Sequence, residues 1–209
     1  LESSDNEETL PVYWLLCGSM TKGFNKNGDL VLLIDEFDNY TAISYSNGQV
    51  SQIENKNGDS ITFLYDNGKL RSIEDSRDRK IRYSYSNDAA VSSSGHCRIT
   101  KVEYCTVSGN TETVYKTVNI GYASTKVNGL PGYAIGSITS SDKFQSTITY
   151  DNDAFNGKVL SVINRTTTDG VPGTGTGAVL SSLEFAYDSS VSKTTATNED
   201  GDQIVYLFN

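Results

Sequence analysis

A 20-residue stretch that repeats without a gap is the strongest constraint on how this chain can fold. When Tyr45–Leu64 is aligned on Tyr65–Ser84, Tyr45/Tyr65, Asn47/Asn67, Gly48/Gly68, Ile53/Ile73, Glu54/Glu74 and Ile61/Ile81 are identical, and Val50/Leu70 and Phe63/Tyr83 are conservative. Repetition of this kind builds a fold from one supersecondary unit. The unit has two halves. The first starts at a turn glycine and places two apolar residues three apart: Gly48, Val50, Ile53. The second alternates apolar residues and ends on an aromatic: Ile61, Phe63, Tyr65. Strict alternation marks a strand with one buried face. Between the halves lies Asn55-Lys56-Asn57-Gly58-Asp59, whose Asn and Gly suit a turn. Two strands joined by such a turn make a β-hairpin.

The same pattern recurs along the chain. Gly28, Leu30 and Leu33 lead to Thr41, Ile43 and Tyr45; Gly68, Leu70 and Ile73 lead to Ile81, Tyr83 and Tyr85. Looser copies run from Ile99 and Val102 to Val118, Ile120 and Tyr122, and from Gly136 and Ile138 to Ser146, Ile148 and Tyr150. Gly157, Val159 and Val162 precede Leu183, Phe185 and Tyr187, and a last copy keeps Gly201, Ile204, Tyr206 and Phe208. About seven hairpin units result, filling 24–209 behind a lead-in strand region at 1–23, with loop insertions expected near 86–97, 105–116 and 164–180. Such insertions cost little when they fall between strands. The three-residue spacing of Leu70 and Ile73 puts them on opposite faces of a regular strand. A β-bulge that resets the phase is favoured over a strand covered on both sides, because Arg71 and Ser72 make poor core residues.

Composition narrows the function classes. The chain has 209 residues, 36% of them hydrophobic, enough for a folded core. No apolar run reaches the ~18 residues that span a bilayer; the longest patch, Val12 to Cys17, reads as a strand. A net charge of −9 with no basic stripe argues against nucleic acid and anionic membrane surfaces. The start at Leu1 without Met or signal region is expected of a segment cut from a longer precursor. Cys17, Cys97 and Cys105 form no metal-ligand spacing and no even-numbered disulfide framework. A Cys97–Cys105 bridge is disfavoured against three separate thiols, because the intervening residues read as one strand.

The chain resembles the YD-repeat, or rearrangement-hotspot (RHS), family. Tyr65-Asp66-Asn67-Gly68-Lys69-Leu70 matches the family's Tyr-Asp pair, turn glycine and apolar follower, and Tyr150-Asp151 and Tyr187-Asp188 are further instances. The resemblance covers roughly Phe24 to Asn209. It implies an all-β fold: an antiparallel sheet of consecutive β-hairpin repeats, curved or spiral and open. The positions that carry it are Gly28, Tyr45, Gly48, Gly58, Tyr65, Gly68, Tyr85, Tyr150, Gly157, Tyr187, Gly201 and Phe208. In related bacterial toxin proteins and in teneurins such repeats wind into a hollow shell. The resemblance thus implies a non-catalytic scaffold in a bacterial surface or secreted protein, extracellular or attached to a Gram-positive cell wall. Its partners would be other domains of the same precursor, and exposed sheet edges would invite self-association.

The sequence carries few signatures of catalytic or binding chemistry. The sole histidine, His96, follows Ser92-Ser93-Ser94-Gly95, a loop context without a nucleophile signature, so a Ser/His/Asp triad has little support. Gly173-Thr174-Gly175-Thr176-Gly177 lacks the Lys and following helix of a phosphate loop and reads as a long hairpin loop. Asp151-Asn152-Asp153 and Asn198-Glu199-Asp200-Gly201-Asp202 fall short of a calcium loop and read as ordinary turns. Paired carboxylates for glycoside cleavage depend on the fold, and the acidic residues here sit mainly in turns. No cofactor or metal is expected. The alternative to a scaffold is a carbohydrate- or cell-wall-binding adhesin module, motivated by aromatics outside the repeat register. Trp14, Tyr40, Tyr115 and Tyr133 are its candidate glycan contacts, with Tyr13 of the same kind. A glycan-active enzyme is the residual reading. Asn39-Tyr40-Thr41 and Asn164-Arg165-Thr166 match the N-glycosylation pattern, which carries no weight in a bacterial protein.

Overall fold

The computed structural model describes residues 10–86, 97–127, 130–151, 158–167 and 176–208. Sixteen strands follow one another with no helix among the described residues. They are β1 (Tyr13–Cys17), β2 (Met20–Phe24), β3 (Leu30–Ile34), β4 (Tyr40–Ser46), β5 (Gln49–Asn55), β6 (Ser60–Asp66), β7 (Lys69–Asp75) and β8 (Arg79–Tyr85), then β9 (Ile99–Ser108), β10 (Thr111–Val127), β11 (Leu130–Ser140), β12 (Phe144–Tyr150), β13 (Val159–Thr167), β14 (Thr176–Asp188), β15 (Lys193–Asn198) and β16 (Gln203–Leu207). Each strand is hydrogen-bonded to the next in chain order, and β1 and β16 are the two edges of an open sheet. The expected units map onto β3–β16 as seven consecutive hairpins, and the lead-in region supplies the hairpin β1–β2. The stretch at 105–116, expected as a loop insertion, is carried by strand instead: β9 and β10 are long and turn at Gly109-Asn110. The extra residues lengthen a hairpin there, because the ladder gives their backbone groups partners that a loop would not.

Contacts divide the chain into two compact units, Leu1–Tyr83 with Tyr104–Val114, and Ser84–Glu103 with Tyr115–Asn209. In each, the recurring device is a bulge opposite an aromatic strand residue. Tyr45 pairs with Val50 while Ser44 pairs with Gln52, leaving Ser51 over. Tyr65 pairs with Leu70 and Leu64 with Ser72, leaving Arg71 over. Phe24/Leu30 leaves Val31, Tyr122/Ile135 leaves Gly136, and Tyr150/Val159 leaves Leu160. Directly opposed residues share a face, so Leu70 and Ile73 both join Tyr65 and Phe63. The bulge favoured on sequence grounds is therefore present, and it is what the three-residue spacing encodes.

A bulge leaves backbone groups outside the ladder, and tyrosine hydroxyls meet some of them. Tyr45 donates to the Leu30 carbonyl at 3.0 Å, Tyr150 to Ile135 at 2.7 Å and Tyr187 to Val159 at 2.8 Å. Each acceptor is the last residue before a bulge. Tyr122 likewise donates to Ile99 at 2.8 Å. Burial pushes the Tyr45, Tyr150 and Tyr187 hydroxyls above their ordinary value. The ring packs across strands and the hydroxyl fastens the second strand of a hairpin to its first strand, which is why tyrosine serves here better than phenylalanine.

Two turn designs alternate between β4 and β8. Asn47-Gly48 and Asn67-Gly68 have both residues at positive φ, the two-residue turn whose twist matches that of the strands. The other design is a five-residue loop closed by its first side chain. Asn55 Oδ1 accepts from the Asn57 and Asp59 amides at 2.9 and 3.0 Å. Asn25, Asp35, Asp75 and Asn198 do the same in their own loops. The fourth residue of these loops has positive φ, so glycine at 28, 58 and 201 alternates with Asp38 and Asp78.

The core is thin. Among the described residues only Val31, Cys105 and Ala196 are buried apolar side chains. Most strand residues are half-buried, as in a sheet whose stability comes from cross-strand pairs.

Candidate functional site

In the first unit, alternation and bulges sort the side chains into two unlike faces. Ile43, Ile53 and Ile61 stand opposite one another across β4, β5 and β6, and Phe63, Ile73 and Ile81 across β6, β7 and β8. The reverse face carries Gln52, Thr62, Glu74 and Lys80 in one row and Leu64, Ser72 and Arg82 in the next. Lys80 Nζ lies 2.7 Å from both Glu74 and Glu112, and Arg82 Nη1 lies 2.8 Å from the other Glu112 oxygen. Burial works against the Lys80 charge, but the hydrogen bonds to Glu112 and Glu74 outweigh it and raise its pKa. The same contact with Lys80 holds Glu112 below its ordinary value. This network clamps the start of β10 onto the polar face.

A cleft of about 360 Å³ opens where the apolar face meets the turns 55–59 and 75–79. Ile53 and Ile61 line it with apolar surface, and Asp59, Asp75, Arg77 and Arg79 ring it with charge. The turns reach this position because each is tied to the one before it. The Lys56 amide donates to the Tyr40 carbonyl and the Ser76 amide to that of Ser60, both at 3.0 Å. Lys56 Nζ reaches the Asp38 carbonyl at 3.0 Å, and Arg77 Nη2 reaches Asp59 at 3.2 Å. Arg79 closes on Asp75 within its own loop at 2.6 Å. Burial pushes the Asp75 carboxyl up, but the Arg79 and Arg77 amides and the Arg79 guanidinium outweigh it, and the pKa is lowered. The composition of the two turns did not reveal this cleft, because it forms between residues about twenty apart in sequence.

The candidate glycan contacts are exposed but dispersed. Trp14 and Tyr40 share one face of the first unit yet sit three strands apart, about 14 Å at the usual strand spacing. Trp14 lies over Gly23, where an added Cβ would meet its ring at 3.1 Å. In the second unit Tyr133 stands opposite Ser124, nine residues along β10 from Tyr115, a rise of about 30 Å. Arg98 lies 3.7 Å above the Tyr133 ring and 5.2 Å from that of Tyr122. Within neither unit do its two candidates come together.

The other sequence candidates take ordinary structural places. Asn198 spends its side-chain oxygen on the Asp200 and Asp202 amides, so that acidic stretch is a closed turn. Among the described residues no cluster of His, Cys, Asp or Glu has the arrangement to hold a metal ion. Cys17 is exposed, Cys97 half-buried and Cys105 buried, all three as free thiols; Ile99 to Cys105 alone rises about 20 Å along β9. The sequon amides are engaged, Asn39 with Asp35 and Asn164 with Ser181, both at 2.9 Å. Tyr65 is the penultimate residue of β6, Tyr85 the last of β8, and Phe208 follows β16. His96, Gly157, residues 152–153 and the loop 171–175 lie outside the described residues.

No protein-family model matches the sequence, and no curated protein does. Solved structures match by fold. The crystal structure of TcdB2-TccC3-TEV aligns with a TM-score of 0.59 and 15% identity, over 92% of this chain and 10% of that one. The crystal structure of TcdB2-TccC3-Cdc42 gives 0.58 and 14%, over 90% and 10%. A Photorhabdus luminescens Tc holotoxin pore bearing a TccC3 mutation gives 0.58 and 14%, over 90% and 9%. The chain therefore shares its hairpin-repeat fold with part of these chains, and it spans about a tenth of their length.

Proposed function

We propose that this chain is a non-catalytic scaffold segment of a bacterial secreted or cell-surface protein of the RHS type, displaying or enclosing other domains of its precursor. The observation that carries this reading is the sheet itself. Sixteen strands run in strict chain order, tied by repeated bulges, tyrosine hydroxyls and closed turns, and the same fold recurs inside much longer toxin chains. Such a sheet extends by adding hairpins, and each addition needs only its neighbour. Its sides carry few buried apolar residues, as suits a wall more than a compact catalytic domain.

The edges support the same reading. Every residue of β1 and β16 is exposed, including Trp14, Leu16, Ile204, Tyr206 and Leu207, and neither strand carries a charge. Unprotected apolar edges take a further strand readily, so adjoining segments of the precursor or a second copy are the partners they fit. The test is cross-linking with mass spectrometry on the natural precursor. Cross-links from β1 and β16 into adjoining sheet would support the scaffold; a chain that tumbles as an independent bead, with both edges unlinked, would overturn it.

A further inference from the structure

We propose that the cleft between the 55–59 and 75–79 turns is a binding site for a neutral saccharide, an inference that does not depend on the scaffold reading. Charge narrows the ligand class first. Asp59 and Asp75 stand against Arg77 and Arg79, so the rim carries no net charge, and the chain as a whole carries −9. An anion would meet two carboxylates within the cleft, and a cation two guanidiniums. Neither gains a net attraction there.

The hydrogen-bonding chemistry narrows it further. Sugar hydroxyls donate and accept, and neighbouring hydroxyls of one ring call for a donor beside an acceptor. A guanidinium paired with a carboxylate presents that combination, and the rim has two such pairs on adjacent turns. Arg77 bonds Asp59 through Nη2 alone, which leaves Nε and Nη1 to face a ligand, and its side chain is 69% exposed. Beneath the rim, Ile53 and Ile61 offer an aliphatic surface of the kind the C–H face of a sugar ring covers, and Ile61 is 41% exposed. At about 360 Å³ the cleft falls in the range of small-ligand sites.

The rim is also held in place before any ligand arrives. Asn55 and Asp75 close their loops by accepting backbone amides, and Lys56 and Arg77 staple each loop to the preceding one. A site whose polar groups are already ordered loses less entropy on binding. Trp14 and Tyr40, by contrast, stand three strands apart in the same unit.

The test is saturation-transfer NMR and calorimetry on the full chain with cellobiose, maltose and N,N′-diacetylchitobiose, and with inorganic phosphate as the anionic probe. Saturable binding of at least one disaccharide, none of phosphate, and a loss of about tenfold or more in Arg77→Ala is expected; tenfold corresponds to ~1.4 kcal/mol. Because the Arg77–Asp59 pair is solvent-exposed and contributes little to folding, the variant's melting curve should lie close to the parent's. A second variant, Ile61→Thr, removes aliphatic surface and should also weaken binding. Three results would overturn the proposal: no saturable disaccharide binding, phosphate bound in place of sugar, or disaccharide binding that both variants leave unchanged.

Discussion

Deleting Arg71 should do far less harm than deleting Thr62, although both lie within strands. Arg71 is the surplus residue of a bulge. Without it Tyr65 still faces Leu70, Leu64 still faces Ser72 and Phe63 still faces Ile73, so no apolar side chain changes face. The deletion removes an exposed side chain and some local twist, an expected cost of about 0.5 kcal/mol. Thr62 has no such slack. Its removal makes Ile61 the direct neighbour of Phe63, and adjacent strand residues point to opposite faces. Either Ile61 leaves the row it shares with Ile53, or Phe63 and Tyr65 turn toward Ser72, Glu74 and Lys80. Full burial of such a side chain is worth ~1.5–3 kcal/mol, and Ile61 is already 41% exposed. The loss should therefore be about 1–2 kcal/mol for each side chain displaced. Urea unfolding followed by circular dichroism reads the contrast. At a slope of ~2 kcal/mol per molar, the Thr62 deletion should lower the midpoint by about 0.5–1 M, and the Arg71 deletion by about 0.25 M. If Arg71 proves as costly to delete as Thr62, the bulge does not set the phase and the facial assignment fails.

Three further outcomes are expected. Tyr45→Phe keeps the ring but strands the Leu30 carbonyl, so it should cost ~0.5–1.5 kcal/mol in urea unfolding, and a neutral result would deny the hydroxyl its role. Gly23→Ala would set a Cβ 2.8 Å from Pro11 Cβ and 3.3 Å from Leu32 Cβ, so it should cost ~1–3 kcal/mol. Trp14 is the only tryptophan, and its emission should shift to the red as its ring lifts from position 23; unchanged emission would contradict the packing. Hydrogen bonds from Lys80, Asn39, Lys116 and Ser190 hold Glu112, Asp35, Asp142 and Asp188 below their ordinary values of 4.5 and 3.8. Groups with lowered folded-state pKa stabilise fully above the unfolded value and cease to as pH falls through the lowered one. The urea midpoint should thus hold at neutral pH and fall as the pH drops below about 4.5; a midpoint flat down to pH ~2 would contradict this.

Much of the architecture was legible because it is local. Alternation in Ile61, Phe63 and Tyr65 needs only the pleat of a single strand, and Asn47-Gly48 needs only the φ values of its own turn. The three-residue spacing of Leu70 and Ile73 announced the bulge, since no regular strand places both on one face. The lengthened hairpin of β9 and β10 was harder to read. Residues 105–116 lack the repeat's spacing, and only pairing with neighbouring strands shows them to be extended.

The candidate site divides along the same line. Trp14, Tyr40, Tyr115 and Tyr133 are exposed, but their separation within each unit did not show in the sequence, because distance along and across a sheet depends on register and strand count. Outside residues 105–116, the sequence by itself determined which residues form strands, where they turn and in what order the hairpins follow. These depend on backbone conformation and on side chains within a few residues of one another. Only the tertiary structure decided that Glu112 reaches Lys80, that Tyr45 fastens the bulge beginning at Leu30, and that the charges of two turns about twenty residues apart enclose one cleft. Each of these is a contact made by a side chain with a group on a different strand or turn, and no local pattern of residues specifies it.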